Sequence, residues 1–248
     1  MRMIKLLFSA VAFLTRLPVP ERWQVEPDGL ASSAVFFPLV GVVISAGATI
    51  LNHVFSRFVP HDLLMVVILA YLVVVTGGFH EDALADAADG FGGGWDKDRI
   101  LAIMRDSRVG SFGVVALALS LLARFVLLKN LPALKFDGYL LAGQVACRWT
   151  ALPLAFFLPP AREKIGQGVR VAGKISVASL IVGTLLTIAI VGGALTLNGA
   201  WVMLVVVVIT ALSGAYYRRW IGGVTGDCLG ATNQISEVAV YFTGVVLG

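Results

Sequence analysis

Charge is scarce in this chain. Lys, Arg, Asp and Glu make up 14% of its 248 residues, against 58% hydrophobic residues. Soluble domains carry about 25% charged residues, so the composition excludes a water-soluble fold and points to an integral membrane protein. Cysteine is also rare. Cys147 and Cys228 lie far apart, outside any C-x-x-C or Cys/His pattern, which leaves them as small apolar packing residues rather than a redox pair or zinc ligands. No Ser/His/Asp triad, Walker-type loop or haem pattern is evident. No Pro/Ser-rich linker or low-complexity tract divides the sequence, so one membrane-embedded domain is expected over residues 1–248. The net charge of +4 calls for no nucleic acid; loop cations that orient a membrane protein account for it.

The apolar residues fall into runs. Stretches long enough to span a bilayer lie at about 33–55, 63–79, 109–128, 138–158, 175–197, 199–217 and 229–247. The expected fold is therefore all-α and polytopic, with about seven transmembrane helices. Residues 1–15 resemble a signal peptide, but no small-residue cleavage site follows, and R-L-P-V-P comes instead. They predict a short amphipathic or re-entrant helix on the cytoplasmic side, ended by Pro18 and Pro20. L-N-G at 197–199 predicts a tight turn joining the fifth and sixth spans. Fourteen Lys and Arg fall in the alternate connections on the N-terminal side and three in the others. That asymmetry predicts a cytoplasmic N-terminus.

Against this background one acidic stretch stands out. Seven of the fifteen carboxylates lie between Glu81 and Asp106, on the predicted cytoplasmic side. On a helix Asp82, Asp86 and Asp89 fall within about 60° of one another, with Glu81 about 80° beyond. Like charges at that spacing repel. The acids alternate with alanine rather than Lys or Arg, and glycines flank them on both sides. A bound divalent cation removes the repulsion, and carboxylate oxygens suit Mg²⁺, Mn²⁺ or Ca²⁺; the competing reading is a solvated acidic face. A fainter echo exists between G-G-F-H-E-D-A-L at 77–84 and G-G-V-T-G-D-C-L at 222–229.

A second constellation, Asp227, Gly230, Gln234 and Glu237, shares one helix face. Two acidic clusters on one membrane side suggest a composite site. Glu237, inside an apolar span, is either functional or a structural partner of Arg124 or Arg148. Arg105 and Arg108 precede Gly110 and Gly113 at a helix start, which suits phosphate oxygens, and Lys174 lies on the same side. His80 is either a base or ligand, or a packed residue. Carboxylates, metal and cations together point to phosphoryl or nucleotidyl chemistry.

These residues resemble the adenosylcobinamide-GDP ribazoletransferases, also called cobalamin-5′-phosphate synthases. The likeness runs through F-L-T-R-L-P-V-P at 13–20, F-P-L-V-G at 37–41 and T-G-G-F-H-E-D-A-L-A-D-A-A-D-G at 76–90. It continues with D-R-I-L-A-I-M-R-D-S-R-V-G-S-F-G at 98–113, G-K at 173–174, G-G-V-T-G-D-C-L-G-A at 222–231 and Glu237. Ala83 stands where the family has glycine. The resemblance implies joining of adenosylcobinamide-GDP to α-ribazole or its 5′-phosphate, with release of GMP, at the cytoplasmic face of a bacterial inner membrane. It implies Mg²⁺ held by Asp82, Asp86, Asp89 and Asp227, and phosphate contacts from Arg105, Arg108 and Lys174. His80, Glu81 or one of the aspartates would take the proton, and Asp106 and Glu237 would support the site from behind. A homo-oligomer, or association with other corrinoid-pathway enzymes, is the further partnership expected. The rival class is a transporter or ion carrier using Arg124, Arg148 and Glu237; a non-catalytic scaffold is a third.

Overall fold

The computed structural model of the protein describes residues 2–26, 29–162 and 171–248. Lys164 and Arg170, counted among the orienting cations, lie outside them. Among the described residues the regular elements are helices, joined by one isolated β-bridge between Pro160 and Val224.

Helix α1 (Arg2–Leu14) buries one face through Leu6, Ala10, Val11 and Leu14 and leaves Met3, Ile4 and Phe8 outside, the amphipathic character expected. A short helix α2 (Leu30–Ser33) leads through a 3₁₀ turn into α3 (Phe37–Phe55), which has Pro38 in its first turn, where its missing N–H is harmless. Next come α4 (His61–Thr76), α5 (Phe79–Gly93) and α6 (Lys97–Ile103). They are followed by α7 (Ser111–Asn130), α8 (Phe136–Trp149) and α9 (Ala151–Phe157). The chain closes with α10 (Val177–Leu195), α11 (Leu197–Ile221) and α12 (Gly226–Leu247).

Helix α8 is the axis. Tyr139, Leu140, Ala142, Val145, Ala146 and Cys147 are fully enclosed. Gly41 of α3 lies against the Gln144 carbonyl, Gly143 against the Tyr241 ring, and Gly244 of α12 against Tyr139. These glycines serve close approach between helices. Outside the axis the polarity inverts. Val115, Leu119 and Leu122 on α7, Ile181 and Leu185 on α10, and Leu204 and Leu212 on α11 all face outward. Water would penalise so much exposed apolar surface, and a bilayer does not. Cys147 and Cys228 are buried and unpaired.

Five helical segments are long and apolar enough to cross a membrane: Leu30–Phe55, Ser111–Asn130, Ala133–Phe157, Val177–Leu195 and Leu197–Ile221. Helices α4 and α5, bent by 84°, make a sixth if taken as one. Length and apolarity establish five or six of the expected seven spans, for two reasons. The second run breaks at Gly77, and the last forms α12 as a packed helix. Thr232, Asn233, Gln234, Ser236 and Glu237 of α12 all point into the protein.

The turn between α10 and α11 also falls earlier than expected. Thr196 carries it with a φ of 52°, and Leu197, Asn198 and Gly199 already belong to α11. Gly199 instead lets the hairpin close, because a Cβ there would lie 2.8 Å from the Val191 carbonyl.

A methyl group at Gly41 would meet backbone that cannot yield, so Gly41→Ala should lower the melting temperature in detergent by roughly 5 °C. Gly192, in the lipid-side hairpin, has open space at its Cβ position. Gly192→Ala should leave the melting temperature unchanged or raise it slightly. Differential scanning fluorimetry of the two variants checks the contrast.

Candidate active site

The acidic helix is aimed by two glycines. Gly77 and Gly78 both adopt left-handed φ, 67° and 68°, and their amides donate to the Val74 and Val73 carbonyls to close α4. This pairing is the usual helix stop, and it lets α5 leave at a steep angle. Ala83 then packs on Gly230 of α12. Helix α5 lies between α7 and α12, with its alanines inward and its acids divided between two environments.

Two of the acids are tied into the protein. Asp89 accepts the Gly110 amide at 2.7 Å and the Gly113 amide at 2.8 Å. A carboxylate there satisfies amides that the first turn of α7 leaves without a helical partner. The glycine pair read as a phosphate cradle is therefore engaged by a side chain of the protein itself. Any Cβ at Gly110 or Gly113 would strike that carboxylate.

Glu81 accepts Arg124 Nη2 at 2.8 Å and Gln234 Nε2 at 3.3 Å. Arg124, 1% exposed, also lies 3.7 Å from Glu237. This buried cluster joins α5, α7 and α12. Of the two readings held open for Glu237, the geometry matches the structural ion pair with Arg124.

The other acids are freer. Asp82 is exposed and Asp86 half-buried, and neither has a hydrogen-bonded or ion-paired partner among the described residues. Asp86 lies within electrostatic reach of Asp82, Asp227 and Asp89, and of one cation, Arg162. Asp227, the second residue of α12, accepts the Thr225 hydroxyl at 3.2 Å and lies 3.5 Å from Arg162. Burial pushes its carboxyl up, against the pull of Arg162 and Thr225. The structure thus brings Asp82, Asp86 and Asp227 together from sequence positions 140 residues apart, with Asp89 behind them.

Arg162 was missed by sequence reasoning, which counted it only as an orienting loop cation. What places it is a small clasp. The Ala161 amide donates to the Val224 carbonyl at 3.0 Å, and the Val224 amide donates to Pro159 at 2.9 Å. The two consecutive prolines before Arg162 were the only local signal of a fixed exit from α9.

The remaining candidates are more scattered. His80 is 4% exposed and lines a small internal cavity rather than the acidic face. Arg105 and Lys174 are exposed. Arg108 donates to Asp106 at 2.9 Å, and its guanidinium holds the Asp106 carboxyl down to about 2. That pair neutralises itself, so Arg108 reaches a phosphate only by leaving Asp106.

Among the described residues, no three His, Cys, Asp or Glu side chains converge closely enough to hold a metal ion as they stand. The donor chemistry nevertheless suits one. Asp86 and Asp227 share Arg162, and the hard oxygens of Asp82, Asp86 and Asp227 are those a small divalent cation takes.

A helical, bilayer-suited protein with an acidic site at one end of its bundle is the class these features define. Comparison with known proteins narrows it. Residues 6–245 match the family described as cobalamin-5-phosphate synthase. Adenosylcobinamide-GDP ribazoletransferases of Shewanella amazonensis and Shewanella frigidimarina are 34% and 35% identical to the chain. The alignments cover 99% and 100% of this chain, and 96% and 97% of those proteins. The same enzyme of Leptospira interrogans is 34% identical over 92% of the chain and 90% of its own length. The chain belongs to the cobalamin-5-phosphate synthase family. No solved structure matches it.

The contrast between tied and free acids is measurable as stability. Asp89→Ala removes two charge-assisted hydrogen bonds and should lower the melting temperature by roughly 5–10 °C. Asp82→Asn relieves like-charge repulsion and should leave the melting temperature unchanged or raise it. Thermal unfolding in detergent and EDTA checks both, and equal destabilisation by the two would refute the division.

Proposed function

We propose that this protein joins adenosylcobinamide-GDP to α-ribazole or its 5′-phosphate, forming adenosylcobalamin or its 5′-phosphate and releasing GMP. This is the final nucleotide-loop assembly step of cobalamin biosynthesis. The observation that carries the reading is the full-length family match, together with the gathering of Asp82, Asp86 and Asp227 beside Arg162.

In this reading the ribazole 3′-hydroxyl attacks the phosphorus attached to cobinamide. A new phosphodiester bond forms, the bond from that phosphorus to the oxygen bridging to GMP breaks, and GMP leaves with that oxygen. Asp82, Asp86 and Asp227, with Asp89 behind them, would hold Mg²⁺, which supplies charge neutralisation on the diphosphate and on the leaving group. Arg162, Arg105 and Lys174 meet phosphate oxygens, and Arg108 joins them once released from Asp106. Glu81 is committed to Arg124, so it orients α5 rather than taking a proton. The hydroxyl proton goes to one of the free aspartates, because His80 lines the neighbouring cavity and not the acidic face.

The site faces the cytoplasm, the N-terminus lies on the same side, and the host bilayer is the inner membrane, as the Lys and Arg asymmetry supports. If α4 and α12 each cross on their own, the count returns to seven. The transport reading loses its main support, because Arg124 and Glu237 are locked together with Glu81.

Purified protein in liposomes, given adenosylcobinamide-GDP and α-ribazole 5′-phosphate, should yield a cobalamin product and stoichiometric GMP, both lost in EDTA. Asp82→Asn and Asp86→Asn should each reduce turnover by about 100-fold or more. Full Mg²⁺-dependent turnover in either variant would defeat the metal assignment. No product across a range of metals and lipids would defeat the enzymatic reading and turn attention to uptake assays.

A further inference from the structure

A second polar pocket lies beside the acidic site, and its chemistry has the opposite sign. It is a partly open cavity of about 40 Å³ lined by α1, α3, α5, α8, α9 and α12 and by Val171. Its polar lining is His80, Arg148 and Asn233, which are 4%, 3% and 5% exposed. Phe13, Phe37 and Phe79 form the apolar wall, with ring centroids 5.6–5.7 Å apart. The volume is enough for about three waters, or for one tetrahedral oxyanion in their place.

Arg148 is the unusual member. The protein's other deeply buried arginine on a spanning helix, Arg124, is matched by two carboxylates. Arg148 has no carboxylate within ion-pair distance among the described residues. Its Nη1 donates to the Gln144 backbone and side-chain oxygens, both at 2.8 Å, but neither partner carries charge. Its Nε is buried with no partner at all, and so is Oδ1 of Asn233 across the cavity. A side-chain amide can present either its oxygen or its nitrogen by turning over, so Asn233 serves as donor or acceptor. A buried guanidinium without a counter-ion is unfavourable until an anion arrives, and its remaining N–H suits an oxyanion.

We propose that this pocket is an oxyanion subsite that takes a phosphate monoester through Arg148, with Asn233 and His80 completing its hydrogen bonds. It is distinct from the acidic cluster. None of the aspartates lines the cavity: Gly226 and Gly230 border it, while Asp227 lies against Arg162. A substrate whose reacting end lies at the acids can therefore place a terminal phosphate in the adjoining cavity. The assignment rests on the ribazole-type reading of the second substrate. It makes the 5′-phosphate of that nucleoside the natural occupant, with free inorganic phosphate as the other source of the same chemistry.

Calorimetric titration of the full-length protein in detergent, with EDTA present to remove metal-bridged binding, tests this with three probes: α-ribazole 5′-phosphate, α-ribazole and inorganic phosphate. The wild type should bind the phosphate ester at least about tenfold more tightly than the nucleoside. Arg148→Met should abolish that preference, Arg148→Lys should keep part of it, and Asp82→Asn should keep all of it. Equal affinities in the wild type, or an undiminished preference in Arg148→Met, would overturn the proposal. If neither nucleoside binds the wild type, the ribazole reading is what fails. Inorganic phosphate then decides the pocket: binding lost in Arg148→Met supports it, and no binding overturns it. Should Arg148→Met fail to fold by circular dichroism, Asn233→Ala replaces it, with the preference expected to fall about threefold.

Discussion

A helix carrying five ionisable residues in ten can sit among apolar helices only if the acids it buries are answered. In this protein Arg124 gives the first answer. It takes Glu81 from α5 and Glu237 from α12 while belonging to α7 itself, so three helices share one buried charge. The amides at the start of α7 give the second by taking Asp89. Removing one member of a buried cluster leaves an uncompensated charge, which is far costlier than never having built the cluster. The position of α5 is thus set by electrostatics at both ends and by alanine–glycine contact between them.

That arrangement leaves a remainder. With Glu81 and Asp89 engaged, Asp82, Asp86 and Asp227 stay close together with only Arg162 described against them. The protein supports this local repulsion through the fit of the rest of the helix, and the proposed divalent cation would relieve it. In the adjoining cavity, Arg148 carries the reverse imbalance. An excess of negative charge and an unmatched positive charge side by side form a site that orders a phosphorylated ligand by polarity along its length.

Much of this was legible in the sequence because it rests on local periodicity. The helical face of Asp82, Asp86 and Asp89 follows from 3.6-residue spacing, and the pairing of that stretch with Asp227 followed from orientation. The glycine doublet at 77–78 marked the edge of the acidic stretch, but the apolar run at 63–79 read through it as one span. What sequence could not supply was partner choice. Asp89 and Asp82 are indistinguishable by spacing, and only the three-dimensional course of α7 makes one a brace and leaves the other free. The glycines at 110 and 113 read equally well as a cradle for phosphate or for a carboxylate. Arg162 depends on a two-bond clasp between segments more than sixty residues apart, which no local pattern encodes. The span count is established only to five or six, because length and polarity conflict at two places: a break at Gly77 and a polar stripe along α12.

The placement of α12 has a consequence for how the protein is made. Ribosomes deliver the chain from its first residue, so α5 and α7 enter the membrane before residues 226–237 exist. Until then Glu81 and Arg124 have only each other, Asp227 is absent, and the groove between α5 and α7 lies open. Helix α12 works as a keystone: the acidic site becomes whole only after residues 226–237 have followed α5 and α7 into the bundle.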